Sequence, residues 1–301
     1  MSMERLVESV CDRAIEYKTN ISLSACSSFR IGGICPIGVF PKDKDELAFA
    51  IRKARELGVR YNVIGKGSNI LFSDNGYNGM LIFTSRMNNI TEDGDTLYAE
   101  TGVSLATLAN QAQKASLSGL EFAYGIPGSL GGAVFMNAGA YGGEMRDVTV
   151  YSEYYDPKND RFGRFSGEEQ KFSYRESVYS HNEELVILGA ALKLKKGNAD
   201  EIKCLMNENM QKRRDKQPLE YPSAGSAFKR PTNGFAAQMI DECGLKGFSV
   251  GDAAVSEKHA GFVINKGNAS AADVKALMEQ VKDKVFRKYG VLLESEIRYI
   301  D

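Results

Sequence analysis

Two glycine-rich loops are the first places where residue types and spacing could do chemistry. In Gly65-Lys66-Gly67-Ser68-Asn69 a strand-like run hands over to a loop. Glycines there let backbone N–H groups close on phosphate oxygens, while Ser68 and Asn69 add side-chain donors. The segment is neither a Walker loop, which ends Gly-Lys-Ser/Thr, nor a G-x-G-x-x-G opening a helix, and a plain tight turn accounts for it equally well. The second loop, Ile126-Pro127-Gly128-Ser129-Leu130-Gly131-Gly132-Ala133, runs on through Met136-Asn137-Ala138-Gly139-Ala140-Tyr141-Gly142. From 125 to 143, seven of nineteen residues are glycine, and five small residues fall within positions 128–133. Close helix packing would use two such glycines; five small residues in six fit a flat or phosphorylated ligand approaching the backbone.

The elements that must position these loops follow from hydrophobic periodicity. Leu6, Val7, Val10, Cys11, Ala14 and Ile15 recur at helical spacing and predict a helix over 3–17. A strand at 37–40, a helix at 43–57 and a strand at 59–64 make a β-α-β unit that delivers the first loop. A strand at 80–84, a hairpin about Asp93-Gly94 and a helix at 103–115 precede the second. Residues 148–194 read as hairpins and strands, with a turn at Pro157-Lys158-Asn159-Asp160 and the most apolar strand at 185–194. A helix from 199 to about 214 leads to a polar boundary at 215–222 that carries two prolines. Beyond it come a helix at 235–243, a strand at 261–265, a long helix at 271–289 and a final strand at 291–300.

Composition narrows the function classes. The chain has 301 residues, 43% apolar and 26% charged, an ordinary globular mixture long enough for two domains. Thirty-eight Lys and Arg against 39 Asp and Glu leave a net charge of -1, so no global field draws it to nucleic acid or an anionic membrane. The longest apolar run, 186–192, is far short of the roughly 20 residues that span a bilayer, and residues 1–18 lack a continuous hydrophobic block. No membrane insertion and a cytoplasmic location are expected. Cysteines at 11, 26, 35, 204 and 243 form neither a C-x-x-C pair nor a tight cluster, so no metal is expected. With only His181 and His259, a Ser-His-Asp triad has poor material.

The pairing of G-x-G-S-N with I-P-G-S-x-G-G-A-x-x-M-N-A-G-A-Y-G resembles the UDP-N-acetylenolpyruvoylglucosamine reductases, flavoenzymes that make UDP-N-acetylmuramate for peptidoglycan. The similarity runs from about residue 20 to the C-terminus. It implies an α+β chain with a two-lobed FAD-binding domain of the vanillyl-alcohol-oxidase (PCMH) type and a C-terminal α+β substrate-binding domain. The implied division is an N-terminal helix at 1–20, the FAD-binding domain at 21–197 (lobes about 21–86 and 87–197) and the substrate domain at 198–301. By the same resemblance, non-covalent FAD is held by Gly65, Lys66, Gly67, Ser68, Asn69, Ile126, Pro127, Gly128, Ser129, Gly131, Gly132, Ala133, Asn137, Ala138 and Gly139. NADPH is the implied reductant and UDP-N-acetylglucosamine enolpyruvate the implied substrate. Lys66 stands where the family often shows glycine. A monomer is expected.

Three further segments carry the catalytic part of the resemblance. Tyr174-Arg175-Glu176-Ser177 is similar to the family's Y-R-x-S and implies that Arg175 contacts the enolpyruvyl carboxylate; otherwise it is a surface arginine paired with Glu176 or Glu183. Gly225-Ser226-Ala227-Phe228-Lys229-Arg230-Pro231 resembles G-S-x-F-K-x-P and makes Ser226 the general acid; otherwise it is a turn or cap residue. Leu293-Glu294-Ser295-Glu296-Ile297-Arg298 resembles L-x-x-E-V/I-R, with Glu296 the catalytic carboxylate. Strand alternation there puts Glu294, Glu296 and Arg298 on one face. Lys216, with Arg213, points by resemblance at the substrate diphosphate, although basic residues at 212, 213, 214 and 216 also suit their own helix dipole. Lys229 is a similar candidate, and His259 falls where relatives carry a polar substrate contact. About eight residues separate Ser177 from the strand at Leu185, as in the variant that lacks a substrate-capping insertion. An oxidase of the same flavin-binding superfamily, an FAD-binding subunit of a molybdenum or iron-sulfur hydroxylase, which would not need the Arg175, Ser226 and Glu296 segments, and a flavin-free sugar-nucleotide binder are the rival readings. No histidine lies near either loop to attach FAD covalently.

Overall fold

A computed structural model describes residues 2–301, and the chain divides into two units. The first comprises residues 2–19, 37–66 and 79–212; the second comprises 20–36, 67–78 and 213–301. Where the resemblance implies consecutive pieces at 1–20, 21–197 and 198–301, the contacts interleave them. Segments 20–36 and 67–78 pack with the C-terminal residues because Phe29, Ile31 and Leu71 are buried in the C-terminal core. An apolar residue in a short run announces that it will be buried, not against which partner.

The first unit is built on two sheets. A four-stranded sheet orders Glu16–Ser22, Ile34–Phe40, Met80–Phe83 and Tyr61–Ile64, with Met80–Phe83 parallel to both of its neighbours. The helix Lys44–Glu56, capped by Asp43 accepting from the Asp45 and Glu46 N–H groups, lays Leu47, Ala50, Ile51 and Ala54 on this sheet. A five-stranded antiparallel sheet orders Arg161–Ser166, Thr149–Asp156, Val186–Lys193, Thr96–Glu100 and Ile90–Asp93. Its central strand explains its own composition: Val186 and Leu188 enter one core while Ile187, Ala190 and Leu192 enter the other. A strand buried on both faces has no polar face to alternate with.

The predicted helix over 3–17 is corrected: it runs Ser2–Asp12 and gives way to the strand Glu16–Ser22. Ala14 turns the chain at φ +54°, and the Ile15 N–H reaches back to the Val10 carbonyl. Ile15 is buried in the same core as Leu6 and Val10, so the helical spacing of apolar residues persists after the helix has ended.

The second unit packs the helix Ala271–Tyr289 against an antiparallel sheet ordered Ser223–Ser226, Phe262–Asn265, Ala253–Val255 and Ser249–Val250. Ser270 and Asp273 form a capping box at the start of that helix. The Asp74 carboxylate also accepts from the Ala271 and Ala272 N–H groups at 2.7 and 3.0 Å. The predicted strand over 291–300 is corrected as well: only Arg298–Ile300 is a strand, parallel to Ile70–Phe72. Residues 291–297 make one isolated bridge, Ser295 opposite Phe228, so Leu293 and Ile297 bury while Ser295 and Arg298 are exposed. Without a continuous ladder nothing enforces a period of two. Among the described residues no helix is long and apolar enough to cross a membrane.

Candidate functional site

In the first unit the two glycine-rich loops touch. A Cβ on Gly65 would stand 2.2 Å from the Ser129 hydroxyl oxygen, so any other residue there would force that hydroxyl to turn away. The second loop is stitched to residues 101–105. Leu105 N–H donates to the Gly128 carbonyl, Leu130 N–H to Val103 and Gly131 N–H to Thr101, at 2.8–3.0 Å. Gly131 is fixed by packing, since a Cβ there would stand 2.0 Å from the Thr101 hydroxyl. Gly132 differs: it is exposed, its Cβ position meets only the Ser129 hydroxyl at 3.6 Å, and its N–H donates to no backbone carbonyl outside the helix. Ser129 caps the helix Leu130–Phe135 without a side-chain capping bond, although the residue is only 3% exposed. Ile126 closes a turn on the Ala123 carbonyl, Pro127 is exposed, Ala133 is buried and Lys66 is exposed.

Asn137 is fully buried at φ +43° and its amide serves the protein. It donates to the Glu144 carboxylate and the Ser173 carbonyl and accepts from the Arg146 N–H, each at 2.9 Å. Ala138 and Gly139 continue into a hairpin in which a Cβ on Gly139 would stand 2.7 Å from the Glu144 Cβ. These three residues therefore support the loop.

Through Ser173, Asn137 holds the turn that carries Arg175. Ser173 and Glu176 exchange backbone hydrogen bonds across Tyr174-Arg175, and Arg175 adopts φ +58°, a left-handed conformation unusual for arginine. The Ser177 hydroxyl donates to the Phe135 carbonyl at 2.6 Å, tying the same segment to the end of the loop helix. Nothing in the sequence signals this strained backbone at the candidate arginine.

In the second unit Gly67 sits at φ +64°, where a Cβ would stand 2.2 Å from the Cys26 carbonyl oxygen, and its own carbonyl accepts from the Ser28 N–H. None of the N–H groups of Gly67, Ser68 and Asn69 donates to a backbone carbonyl. Beside them the Ser27 hydroxyl is buried with no hydrogen-bond partner. Within this unit the Gly67 cradle, the N–H groups of residues 67–69 and the Ser27 hydroxyl are donors of the kind an anionic dinucleotide takes.

The Ser223–Ser226 strand carries an irregularity between its ends, with Gly225 at φ +78°. Ser226 is half-buried, and its hydroxyl has no protein partner among the described residues. The next residue, Ala227, accepts the Glu296 N–H at 2.9 Å, so the backbone brings the two candidate catalytic residues to adjoining positions. Lys229 N–H donates to the Glu294 carbonyl, and the Lys229 ammonium lies 3.5 Å from the exposed Glu294 carboxylate.

The charge of Lys216 reaches His259. Burial holds the imidazole below its ordinary pKa of 6.5, and the nearby Lys246 and Lys216 ammoniums push the same way. Nδ1 accepts the Gly261 N–H at 3.1 Å, so the neutral ring keeps its proton on Nε2 and offers a ligand a donor without a charge. Because the folded-state value lies below that of the unfolded chain, acidification protonates the unfolded state first. The stability contributed by neutral His259 is present above about pH 6.5 and lost as pH falls below it. His259→Gln is expected to flatten the fall in Tm between about pH 7 and pH 5, measured by thermal denaturation against wild type. Parallel Tm curves for the two proteins would contradict this.

With the geometry described, comparisons with known proteins define the class. A family model for an FAD binding domain matches residues 36–160. A solvent-stable cholesterol oxidase structure shares the fold over 61% of the chain and 38% of its own, with 15% identity and a TM-score of 0.50. The chain is an FAD-dependent oxidoreductase of α+β fold with the two-lobed FAD-binding domain.

A second model, "UDP-N-acetylenolpyruvoylglucosamine reductase, C-terminal domain", matches residues 217–300. The enzyme of that name from Clostridium novyi is 44% identical over 300 residues, spanning 100% of this chain and 97% of the relative. The crystal structure of UDP-N-acetylenolpyruvylglucosamine reductase (MurB) from Thermus caldophilus superposes with a TM-score of 0.80 at 33% identity, covering 95% of this chain and 99% of that one. The chain belongs to the UDP-N-acetylenolpyruvoylglucosamine reductase family.

Proposed function

We propose that this chain reduces UDP-N-acetylglucosamine enolpyruvate to UDP-N-acetylmuramate with NADPH, in the cytoplasm, as a step of peptidoglycan precursor synthesis. The observation that carries the reading is the placement of Ser226, whose hydroxyl has no protein partner among the described residues, next to Ala227, whose carbonyl accepts the Glu296 N–H.

When bound, FAD supplies the hydride carrier between NADPH and the substrate. The backbone donors of Gly65–Asn69 and of Gly132, with the Ser129 hydroxyl, hold its diphosphate and ring. Arg175 grips the enolpyruvyl carboxylate with a fork of donors, and its charge is worth more as negative charge develops toward the carboxylate. Ser226 donates its hydroxyl proton to the carbon adjacent to the one that receives hydride. A serine is a weak acid against water but an adequate one against a carbanion or enol. Glu296 fixes the geometry of that transfer. Lys216, Lys229 and the neutral His259 engage the sugar nucleotide, the two lysines at its diphosphate.

The test is the visible spectrum of the purified holoprotein, followed anaerobically. NADPH is expected to bleach the flavin and the enolpyruvyl substrate to restore it. Restoration by oxygen but not by the substrate would favour an oxidase. A chain that neither carries nor takes up FAD would leave a sugar-nucleotide binder.

A further inference from the structure

We propose that Asn69, a residue of the cofactor loop, is a positioning residue for Glu296, and that its side-chain amide serves this purpose in place of cofactor contact. The inference rests on the catalytic role given to Glu296 above. Asn69 touches the Glu296 segment twice. Its Nδ2–H donates to the Glu296 backbone carbonyl at 2.9 Å, and its own carbonyl accepts the Arg298 N–H at 3.0 Å. The two bonds clasp the peptides on either side of Ile297, whose side chain is buried in the core.

The clasp matters because regular structure is missing where it acts. The parallel ladder begins at Arg298 opposite Ile70, and residues 291–297 have only the single bridge at Ser295. Glu296 lies between that bridge and the ladder: its N–H is held by the Ala227 carbonyl, a bond of the bridge, and its C=O by the Asn69 amide. With both flanking peptides fixed, the direction of the Cα–Cβ bond is fixed, and with it the range of the carboxylate. The requirement on residue 69 is chemical: a donor is needed against a carbonyl, which aspartate lacks and glycine or alanine cannot offer. The arrangement also makes one loop do two tasks. Among the described residues the N–H groups of 67–69 donate to no backbone carbonyl, which leaves them available to the dinucleotide, while the side chain at 69 is engaged with the backbone of Glu296.

Asn69→Ala and the uncharged, donorless Asn69→Leu, close to asparagine in size, are the variants, the second guarding against a packing defect in the first. Both are expected to slow reoxidation of the reduced holoenzyme by the enolpyruvyl substrate about 10- to 100-fold, the scale of a misplaced catalytic group. Flavin reduction by NADPH, and the Kd for FAD measured by titrating apoprotein, are expected to stay within about threefold. In a Glu296→Gln background, the further effect of Asn69→Ala on the residual reoxidation rate is expected to shrink to about threefold or less, because the group it positions is gone. Two results would overturn the proposal. One is an FAD Kd raised tenfold or more with a normal reoxidation rate at saturating FAD, which makes Asn69 a cofactor ligand. The other is a full-sized effect in the Glu296→Gln background, which makes it act independently. A wild-type enzyme that bleaches with NADPH yet is not reoxidised by the substrate overturns the proposed function itself, and the role of Glu296 with it.

Discussion

Replacing Ser226 with alanine is expected to leave flavin reduction by NADPH within about twofold of wild type while slowing anaerobic reoxidation by the enolpyruvyl substrate at least about 10²-fold, on the order of 3 kcal/mol. The asymmetry follows from what the hydroxyl does. Hydride delivery to the cofactor consumes no proton from the chain, whereas reduction of the enolpyruvyl double bond needs hydride at one carbon and a proton at the other. Among the described residues the half-buried Ser226 hydroxyl has no protein partner, so removing it orphans none of them and leaves only a small cavity. A loss of rate therefore cannot be attributed to a disturbed hydrogen-bond network. Stopped-flow absorbance of the flavin resolves the two half-reactions. Equal slowing of both would falsify the assignment and return Ser226 to the turn residue its Gly-Ser-Ala setting suggests.

Much of this site was legible because its chemistry depends on residue types at fixed spacing. Gly65, Gly67 and Gly131 are glycines for reasons a sequence displays indirectly: each stands where a Cβ would meet another atom within 2.2 Å. What the sequence did not display is which atoms those are. Asn69 and Asn137 both look like ligands of a glycine-rich loop, yet both amides face the protein, one toward Glu296 and one toward Ser173, Glu144 and Arg146. An asparagine advertises hydrogen-bonding capacity without a direction. The same limit governs the fold. The helix Lys44–Glu56 and the helix Ala271–Tyr289 could be read because their apolar faces and caps are local. The end of the N-terminal helix and the form of residues 291–297 could not, because Ile15, Leu293 and Ile297 are buried whether the chain is helical, extended or irregular.

Arg175→Gly is expected to lower kcat/KM for the enolpyruvyl substrate about 10²- to 10³-fold, the scale of losing one charged stabiliser of a developing anion, while Tm stays level or rises by up to about 2 °C. The two readouts move in opposite directions because Arg175 is unfavourable where it stands. A side chain in the left-handed region costs on the order of 1 kcal/mol that glycine does not incur, offset in part by glycine's larger entropy in the unfolded chain. The arginine's guanidinium lies 5.0 Å from the Tyr174 ring, but the turn is closed by backbone. Ser173 and Glu176 close it with their own backbones, Asn137 holds Ser173, and Ser177 anchors to Phe135. Glu176 has other polar neighbours, with the Ser173 hydroxyl at 3.2 Å and His181 Nε2 at 3.5 Å. Arg175→Lys restores the charge without the planar fork and is expected to recover only part of the rate, because a carboxylate held by two parallel donors is oriented as well as neutralised. Differential scanning calorimetry beside steady-state kinetics decides the matter. A fall of several degrees in Tm with kcat/KM unchanged would show that the surface ion-pair reading was right, and that the strained backbone at Arg175 serves stability rather than substrate.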